Sequence, residues 1–180
     1  MVDKKREHIA LLKIRAGHYE AFSDIYDIYS KQIYRYVYFK VPTKEKAEDI
    51  TSDVFLKCWE YINKHNTIKN FQAFIYQVAR NSIADFYKKI KELQLPEDLE
   101  SVPSNSSLAH NIDNMSDWQI LDKGIRELGK INGKWQEVVV LKHIEGYSTK
   151  EISKILDESS ANVRVLIHRA MEKLKEIIGE

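Results

Sequence analysis

Two apolar stripes with helical spacing, separated by a tight polar turn, constrain the fold of this chain more than any other feature of its sequence. They lie between Tyr147 and Leu174. Asp157 in the turn tolerates a left-handed backbone, and Ser159 or Ser160 can accept the first amide hydrogens of the second helix. The stripe residues are Ile152, Ile155 and Leu156 on the shorter helix and Val163, Ile167, Ala170 and Leu174 on the longer one. Apolar residues at this spacing share one helix face, so the stretch predicts a helix-turn-helix.

The outer face of the second predicted helix carries the groups that a DNA-reading helix needs. Short polar side chains near its start can reach base edges, and cations further along can meet phosphates. The outward residues are Ser160, Asn162, Arg164, Val165, His168, Arg169 and Lys173. On spacing alone, an ordinary pair of packed helices with a solvated face remains an open interpretation, so the rest of the chain has to decide between them.

Helix breakers are scarce along the whole chain. Its 180 residues include three Pro and six Gly, and 43% of them are hydrophobic against 31% charged. This composition is typical of a globular protein, and long runs of Lys, Glu, Ile, Leu and Tyr favour helices over short strands. We therefore predict an all-α fold.

The sequence contains no recognisable catalytic or cofactor-binding arrangement. Cys58 is the only cysteine, which excludes an intramolecular disulfide and a thiolate cluster. The six histidines show no i, i+4 pairing, and neither a glycine-rich phosphate loop nor a Gly-x-Ser-x-Gly elbow occurs. We therefore expect neither an enzymatic activity nor a cofactor or metal.

The amino-terminal stretch is charged, and its apolar run from Ile9 to Leu12 is too short for a signal-peptide core or a membrane span. We expect a cytoplasmic protein that does not cross a membrane. The net charge is only +1, so any surface for nucleic acid has to be local.

Four helices are predicted in the first half of the chain. Asp3 can cap the first, the second begins near Tyr19, Thr43 can cap the third, and the fourth follows the polar break at residues 63–67. The predicted inward residues are Phe22, Ile25, Tyr26, Tyr29, Ile33, Tyr36 and Val37 on the second helix, Ala47, Ile50, Val54, Cys58 and Ile62 on the third, and Phe71, Phe74, Ile75, Val78, Phe86 and Ile90 on the fourth. The many tyrosines of the second helix predict that one of its edges is only half buried.

The outer face of the third helix is acidic, because Glu45, Asp49 and Asp53 follow one another at i, i+4. Like charges at this spacing cost an isolated helix about 0.2–0.5 kcal/mol per pair. A basic partner could offset that cost. A solvated face near a helix N-terminus needs no partner, since the helix dipole favours acids there. The residue pattern leaves both interpretations open.

The segment from Asn63 to Lys91 is basic and aromatic. Its six cations stand against the single acid Asp85, a local net charge of +5, and Tyr76 and Tyr87 are interleaved with them. Cations can meet phosphates, and rings can stack on unpaired bases. The amide of Asn81, a poor helix former in mid-helix, could read a base edge or be satisfied by a neighbouring loop. The cations are Lys64, Lys69, Arg80, Lys88, Lys89 and Lys91.

The helical periodicity stops between Glu92 and Asp117, where two prolines, many Ser and Asn and six acids occur without any Lys or Arg. Such a segment is typical of a flexible acidic linker between domains. Helical patterns on either side of Asn132-Gly133 then lead to the helix-turn-helix. We predict a first domain over residues 1–91, a linker over 92–116 and a C-terminal domain of about four helices over 117–180.

Four stretches occur in a fixed order: AGHYEAFSDIYDIY, AEDITSDVFLKCW, FQAFIYQVARNSIADFYKK, and GYSTKEISKIL followed by NVRVLIHRAMEKL. In that order and at that spacing they resemble bacterial RNA polymerase sigma factors of the extracytoplasmic-function subgroup of the sigma-70 family, and the resemblance covers nearly the whole chain. The second stretch resembles the helix that docks on the clamp coiled coil of core RNA polymerase. The third resembles the promoter-melting helix, and the fourth the reader of the minus-thirty-five element.

The resemblance implies roles for particular residues. It matches the polymerase-docking motif at Asp49, Asp53, Phe55 and Trp59, and it makes residues 65–70 the loop that receives a flipped base of the non-template strand. Together with the basic pattern, it assigns the minus-ten region to His65, Asn66, Lys69, Tyr76, Arg80, Asn81, Lys88 and Lys89. It assigns binding of the minus-thirty-five element to Ser160, Asn162, Arg164, His168, Arg169 and Lys173.

The function implied is a transcription initiation factor that binds core RNA polymerase, directs it to promoter DNA and helps to melt the minus-ten region. The DNA partner implied is double-stranded promoter DNA and, after melting, its non-template strand. The resemblance also admits an anti-sigma factor as a partner. A stand-alone helix-turn-helix regulator is the alternative, and it would bind promoter DNA without polymerase. A helical adaptor that binds only proteins fits the basic, aromatic segment poorly. The chain departs from the family pattern at Ser52-Asp53, usually Gln-Glu, and at Phe74, commonly Trp.

Overall fold

The computed structural model describes residues 3–64, 68–93 and 117–179, and every regular element in these ranges is helical, which confirms the all-α prediction. The N-terminal unit contains α1 (Lys4–Arg15), a 3-10 turn (Tyr19–Ala21), α2 (Phe22–Tyr38), α3 (Lys44–Lys64) and α4 (Phe71–Leu93). The C-terminal unit contains α5 (Asp117–Ile131), α6 (Gly133–Val139), a π-helical turn (Val140–Ile144), α7 (Thr149–Leu156) and α8 (Ser160–Ile178). Residues 94–116 of the predicted linker lie outside the described residues.

The N-terminal unit begins at the predicted cap, since the Asp3 carboxylate accepts from the amides of Lys5 and Arg6 at 3.1 and 3.0 Å. Every predicted inward residue of α3 is buried, Cys58 among them, and burial raises the pKa of its thiol to about 12. On α2 the exceptions are Phe22, which is half-buried, and Tyr26, whose residue surface is 50% exposed. Tyr26 lies on the edge that the tyrosine pattern predicted to be half buried.

The burial of α4 differs from its predicted pattern. Phe71 and Ile75 are buried as expected, whereas the other predicted inward residues are only half-buried: Phe74, Val78, Phe86 and Ile90. Tyr76, Ala79 and Ile83 are buried instead, two of them with no exposed surface. The reason is tertiary, because a second face of α4 packs against α7 of the C-terminal unit. Periodicity within one helix does not reveal a second neighbour.

The C-terminal unit closes around a core formed by α5, α6, α7 and α8. The break predicted at Asn132-Gly133 is the start of α6, where the Asn132 side chain accepts from the amides of Lys134 and Trp135. Helices α5 and α8 approach closely at Gly124, where an added Cβ would lie 2.6 Å from Ile178 Cγ2. The core residues include Ile125, Leu128, Val138, Leu141, Ile152, Ile155, Val163 and Ala170.

The helix-turn-helix forms as predicted. Asp157 ends α7 in the left-handed region at φ 54°, and the Ser159 hydroxyl accepts from the amide of Asn162 at 3.1 Å to cap α8. A capping box that the sequence analysis did not identify starts α7, in which Ser148 and Glu151 satisfy each other's backbone amides. The outward face of α8 lies opposite Val163, Ala170 and Leu174, which are its buried residues.

Candidate functional site

The acidic face of α3 is open to solvent. The Asp49 side chain is 67% exposed and its Oδ2 lies 3.2 Å from Lys46 Nζ, while Asp53 is also exposed one turn further on. Hydrogen bonds from its own backbone amide and from the side chain of Thr43 lower the pKa of Glu45, at the start of the helix. The predicted stripe is therefore a charged surface that no other element of the described chain covers.

An aromatic cluster lies beside that acidic face. Phe55 is buried and Trp59 half-buried, with ring centroids 4.7 Å from Tyr26 and 5.1 Å from Phe22, respectively. Tyr19 meets the edge of Trp59 at 5.9 Å. Because Tyr19 and Tyr26 are 43% and 50% exposed, they present the aromatic surface that Phe55 and Trp59 support from below. The sequence analysis predicted a half-buried tyrosine edge on the second helix but did not connect Tyr19 or Tyr26 with the docking motif on α3.

Four of the residues assigned to minus-ten DNA are exposed along α4 and just before it: Lys69, Asn81, Lys88 and Lys89. The Asn81 Oδ1 accepts from Gln77 Nε2 at 3.0 Å, within its own helix. Lys88 Nζ lies 3.8 Å from a Glu92 oxygen, a loose surface pair. His65 and Asn66 lie outside the described residues. The exposed side chains line the solvent side of α4, where a strand of nucleic acid could reach them.

Tyr76 and Arg80 stand apart from that group because the C-terminal unit covers them. The Tyr76 side chain has no exposed surface, its ring meets Tyr36 and Tyr147 edge-on at 5.0 and 5.8 Å, and burial raises the pKa of its hydroxyl. Arg80 donates to a Glu137 oxygen at 3.0 Å and to the Ile155 carbonyl at 2.8 Å. Tyr76 cannot reach DNA in this arrangement, and the Arg80 side chain, which is 25% exposed, is already bound to these two acceptors. The assignment of both residues stays a prediction.

The contact between the two units is polar and mostly buried. Arg35 donates two hydrogen bonds to Glu145, at 2.8 and 2.6 Å, and the Glu145 side chain has no exposed surface. Burial raises the pKa of Glu145, and the hydrogen bonds from Arg35 oppose that shift. The Tyr147 hydroxyl donates to Gln32 Oε1 at 2.9 Å. Sequence reasoning had no signal for these pairs, because 110 residues separate Arg35 from Glu145 and 115 separate Gln32 from Tyr147.

A second part of that contact surrounds Glu137. Its Oε1 accepts from the Tyr36 hydroxyl at 2.6 Å and from Arg80 at 3.0 Å, and its Oε2 lies 4.0 Å from Lys40 Nζ. Burial lowers the pKa of Lys40. At the margin, Arg126 donates to the Val41 carbonyl at 3.0 Å and lies 4.4 Å above the Tyr38 ring. The Glu137 carboxylate of the C-terminal unit thus interacts with Tyr36, Lys40 and Arg80 of the N-terminal unit.

The outward face of α8 is the second exposed polar surface. Asn162, Arg164, Val165, His168 and Arg169 are exposed, whereas Ser160 and Lys173 are half-buried. Asn162 and His168 of this face interact with the nearby acids Glu158 and Glu172, respectively. Asn162 Nδ2 donates to Glu158 at 2.8 Å, and the other Glu158 oxygen accepts from Lys134 at 2.7 Å, which raises the pKa of Lys134 and lowers that of Glu158.

A shallow groove between the π-helical turn and α8 is lined mainly by basic groups: Lys142, His143, Arg164, His168 and Lys175. His168 Nδ1 lies 3.2 Å from Glu172, which also lines the groove. Partial burial, with a further contribution from Lys142, lowers the pKa of His143. The groove extends the basic face of α8 to the π-helical turn, which the sequence analysis did not predict.

In residues 3–64, 68–93 and 117–179, no three His, Cys, Asp or Glu side chains lie close enough together to hold a metal ion. The helices of this part of the chain also include none that is both long and apolar enough to cross a membrane.

Two family models match the sequence. The model described as Sigma-70 region 2 matches residues 25–92, and the model described as Sigma-70, region 4 matches residues 127–174. Together they cover more than half of the chain, in the order of the N-terminal and C-terminal units.

Curated relatives extend the similarity over most of the sequence. The ECF RNA polymerase sigma factor SigW of Bacillus subtilis is 28% identical, over 98% of this chain and 96% of its own. The ECF RNA polymerase sigma factor BldN of Streptomyces coelicolor is 29% identical over 93% of this chain, which spans 64% of the length of BldN. Among solved structures, the sigma factor RpoE from Bartonella quintana, in complex with the anti-sigma factor NepR, has a TM-score of 0.66, with 21% identity, covering 88% of this chain and 96% of RpoE. At 21% identity, this structural similarity is evidence for the fold alone.

Proposed function

The chain belongs to the sigma-70 family of bacterial RNA polymerase sigma factors, in its extracytoplasmic-function subgroup. From this premise we propose which of its surfaces bind core polymerase and which bind promoter DNA. It is a transcription initiation factor for RNA polymerase, so an independent helix-turn-helix regulator is not favoured. Members of the family are regulatory proteins rather than enzymes, and we propose that this chain likewise catalyses no bond change itself.

Core RNA polymerase is proposed to dock on the acidic face of α3 and the aromatic cluster beside it. Asp49 and Asp53 supply charge that is exposed and so free to meet a basic partner. Phe55 and Trp59 pack against the rings of α2 within the cluster, with Tyr19 as an exposed contact. This combination is the observation that carries the proposal, because a solvated acidic face needs no aromatic rings at its edge.

Promoter DNA is proposed to bind two further surfaces. The minus-ten element meets the fourth helix and the loop before it, through His65, Asn66, Lys69, Tyr76, Arg80, Asn81, Lys88 and Lys89. The minus-thirty-five element meets the helix-turn-helix through Ser160, Asn162, Arg164, His168, Arg169 and Lys173. Exposed donors at the start of α8, followed by cations, suit a recognition helix in a major groove.

The domain boundaries follow from the same division: residues 1–91 for polymerase and the minus-ten element, 92–116 as linker, and 117–180 for the minus-thirty-five element. Because its targets are polymerase and chromosomal DNA, the protein is proposed to act in the cytoplasm without a cofactor. An anti-sigma factor is proposed as a further partner, supported by the complex of RpoE with NepR.

Run-off transcription with purified core polymerase and a randomised promoter pool tests the function. We expect transcripts above the core-only control, and the selected templates should share two sequence elements. A product level equal to the core-only control would contradict the proposal. A shift of the same DNA by this protein alone, without any transcription, would instead point to a stand-alone regulator.

Arg164→Ala is expected to reduce promoter discrimination. The side chain is exposed on α8 beside the basic groove, and a lost base contact costs about 1–3 kcal/mol. Holoenzyme transcription from promoters with and without a minus-thirty-five element should therefore become less different. Lys154→Ala, at an exposed position on α7, provides a cation-removal control. Equal losses on both promoter types would make Arg164 a phosphate contact rather than a base reader.

A further inference from the structure

The exposed face of α8 has an apolar residue at its centre. Val165 has 46% of its residue surface exposed, and it is alone in this among the large hydrophobic residues of α8, a helix that the structure describes in full. The others are buried or half-buried: Val163, Leu166, Ile167, Met171, Leu174, Ile177 and Ile178. Single exposed apolar residues are ordinary on protein surfaces, so the position of Val165 within the face decides what it means.

Val165 lies in the middle of the face that would meet DNA. In a helix, the residues three and four positions away are the nearest neighbours on the surface. For Val165 these are Ala161, Asn162, His168 and Arg169, and all four are exposed. The buried residues of α8 lie on the opposite side. Val165 is also the sixth residue of α8, within the N-terminal part from which recognition helices contact base edges.

Two polar neighbours of Val165 are already paired with acids in the free protein. Asn162 Nδ2 donates to Glu158 at 2.8 Å, and His168 Nδ1 lies 3.2 Å from a Glu172 oxygen. Each of these atoms has to exchange its acid for a base before it can read sequence. Val165 has no such exchange to make. Because a β-branched side chain has one strongly preferred rotamer in a helix, its methyl groups are held in place before DNA arrives.

The major groove of DNA offers one apolar group to such a side chain, the C5-methyl group of thymine. Cations on both sides of Val165 favour a polyanion over a protein partner, since Arg164 precedes it and Arg169 follows one turn later, both exposed. A protein surface that docked here by apolar contact would need a wider apolar patch than one valine. The arrangement therefore suits a thymine methyl group that is contacted between the two arginines.

We propose that Val165 is a specificity-determining residue of α8: its methyl groups contact the C5-methyl group of a thymine in the minus-thirty-five element, and this chain therefore prefers thymine at that base pair. The inference rests on the proposed function, because it takes the minus-thirty-five element as the ligand of α8. It adds the identity of one base to that function. Cytosine presents no methyl group at this edge, and uracil differs from thymine only by the methyl group.

The test uses holoenzyme reconstituted from the full chain and core polymerase. Its template is a promoter selected from the randomised pool, in which each thymine of the minus-thirty-five element is replaced in turn by deoxyuridine. At one of these thymines, loss of the contacted methyl group should weaken the apparent affinity about fourfold. The affinity is taken from run-off transcription titrated with holoenzyme at fixed salt. The quantity compared between variants is the ratio of the affinities for the thymine and uracil templates.

Val165→Ala should bring that ratio close to unity, because alanine lacks the two γ-methyl groups that make the contact. Comparing both templates with both proteins isolates the pairwise contact. Alanine is a better helix former than valine, so this change at an exposed position leaves the fold intact. Val165→Ile keeps a β-branched apolar side chain and should keep the ratio. Ile131→Ala is the matched control, since it removes exposed apolar surface from α5 of the same unit, and its ratio should equal that of wild type.

Two results overturn the inference while the proposed function stands. One is wild-type holoenzyme that binds the thymine and uracil templates equally at every position of the minus-thirty-five element. The other is a preference for thymine that Val165→Ala retains in full, because the methyl group is then read by a different residue. Absence of run-off transcription above the core-only control by the wild-type protein would instead contradict the proposed function, and this inference with it.

Discussion

Replacing Asp49 and Asp53 by lysine is expected to abolish binding to core RNA polymerase while the helical fold stays intact. Reversal of two exposed charges turns an attraction into a repulsion, and like charges placed against each other across an interface cost several kcal/mol. A loss of affinity of about 100-fold or more, which corresponds to about 2.7 kcal/mol, should follow. The measurement is a quantitative pull-down or fluorescence titration with purified core enzyme.

The fold should tolerate these changes because both side chains are exposed. Asp49 does lose its pair with Lys46, and lysines near the start of α3 oppose the helix dipole by about 0.3–1 kcal/mol each. A double variant with Glu127→Lys and Glu176→Lys makes the same change of charge in the C-terminal unit and should bind core polymerase normally. Wild-type affinity of the Asp49 and Asp53 variant would show that the acidic face is only solvated.

Phe71→Ala is expected to produce the largest loss of stability among the changes considered. Phe71 is 1% exposed and its ring lies 5.5 Å from Tyr29 and 6.1 Å from Phe74. Truncation of a buried phenylalanine leaves a cavity and costs about 3–5 kcal/mol. The midpoint of thermal unfolding should fall by about 10 °C or more, as measured by circular dichroism.

The same change should also weaken promoter melting at temperatures where the protein is still folded. Phe71 is the first residue of α4, and the Asn70 side chain that caps this helix accepts from the amide of Ala73 at 3.1 Å. A cavity under the first turn loosens the segment that carries Lys69. Phe71→Leu should retain most of the stability, and Ile9→Ala, at a residue 52% exposed, should change it by less than about 0.5 kcal/mol. If the midpoint of thermal unfolding of Phe71→Ala equals that of wild type, the surrounding side chains must fill the space left by the ring.

The inward face of α3 and the helix-turn-helix could be predicted because each depends on residues close together in the chain. Ala47 and Cys58 are buried at the helical spacing, and Asp157 and Ser159 make the turn and cap that their side chains favour. The capping box at Ser148 was equally local and could have been found from the serine and glutamate spacing. Helical periodicity did not predict the burial of Tyr76, because that burial depends on Tyr147, which is 71 residues away in the chain.

The sequence by itself determined the helical class, the positions of most helix ends, the two exposed polar faces on α3 and α8, and the family of the protein. The first three properties follow from side-chain spacing and from backbone preferences, which act over a few residues, and the family follows from the resemblance of four stretches of the chain to known sigma factors. Only the tertiary structure decided that Arg80 pairs with Glu137 and Arg35 with Glu145, and hence which cations of the N-terminal unit are covered. The pairing of charges between distant segments depends on how two preformed surfaces dock, and no local pattern encodes that geometry.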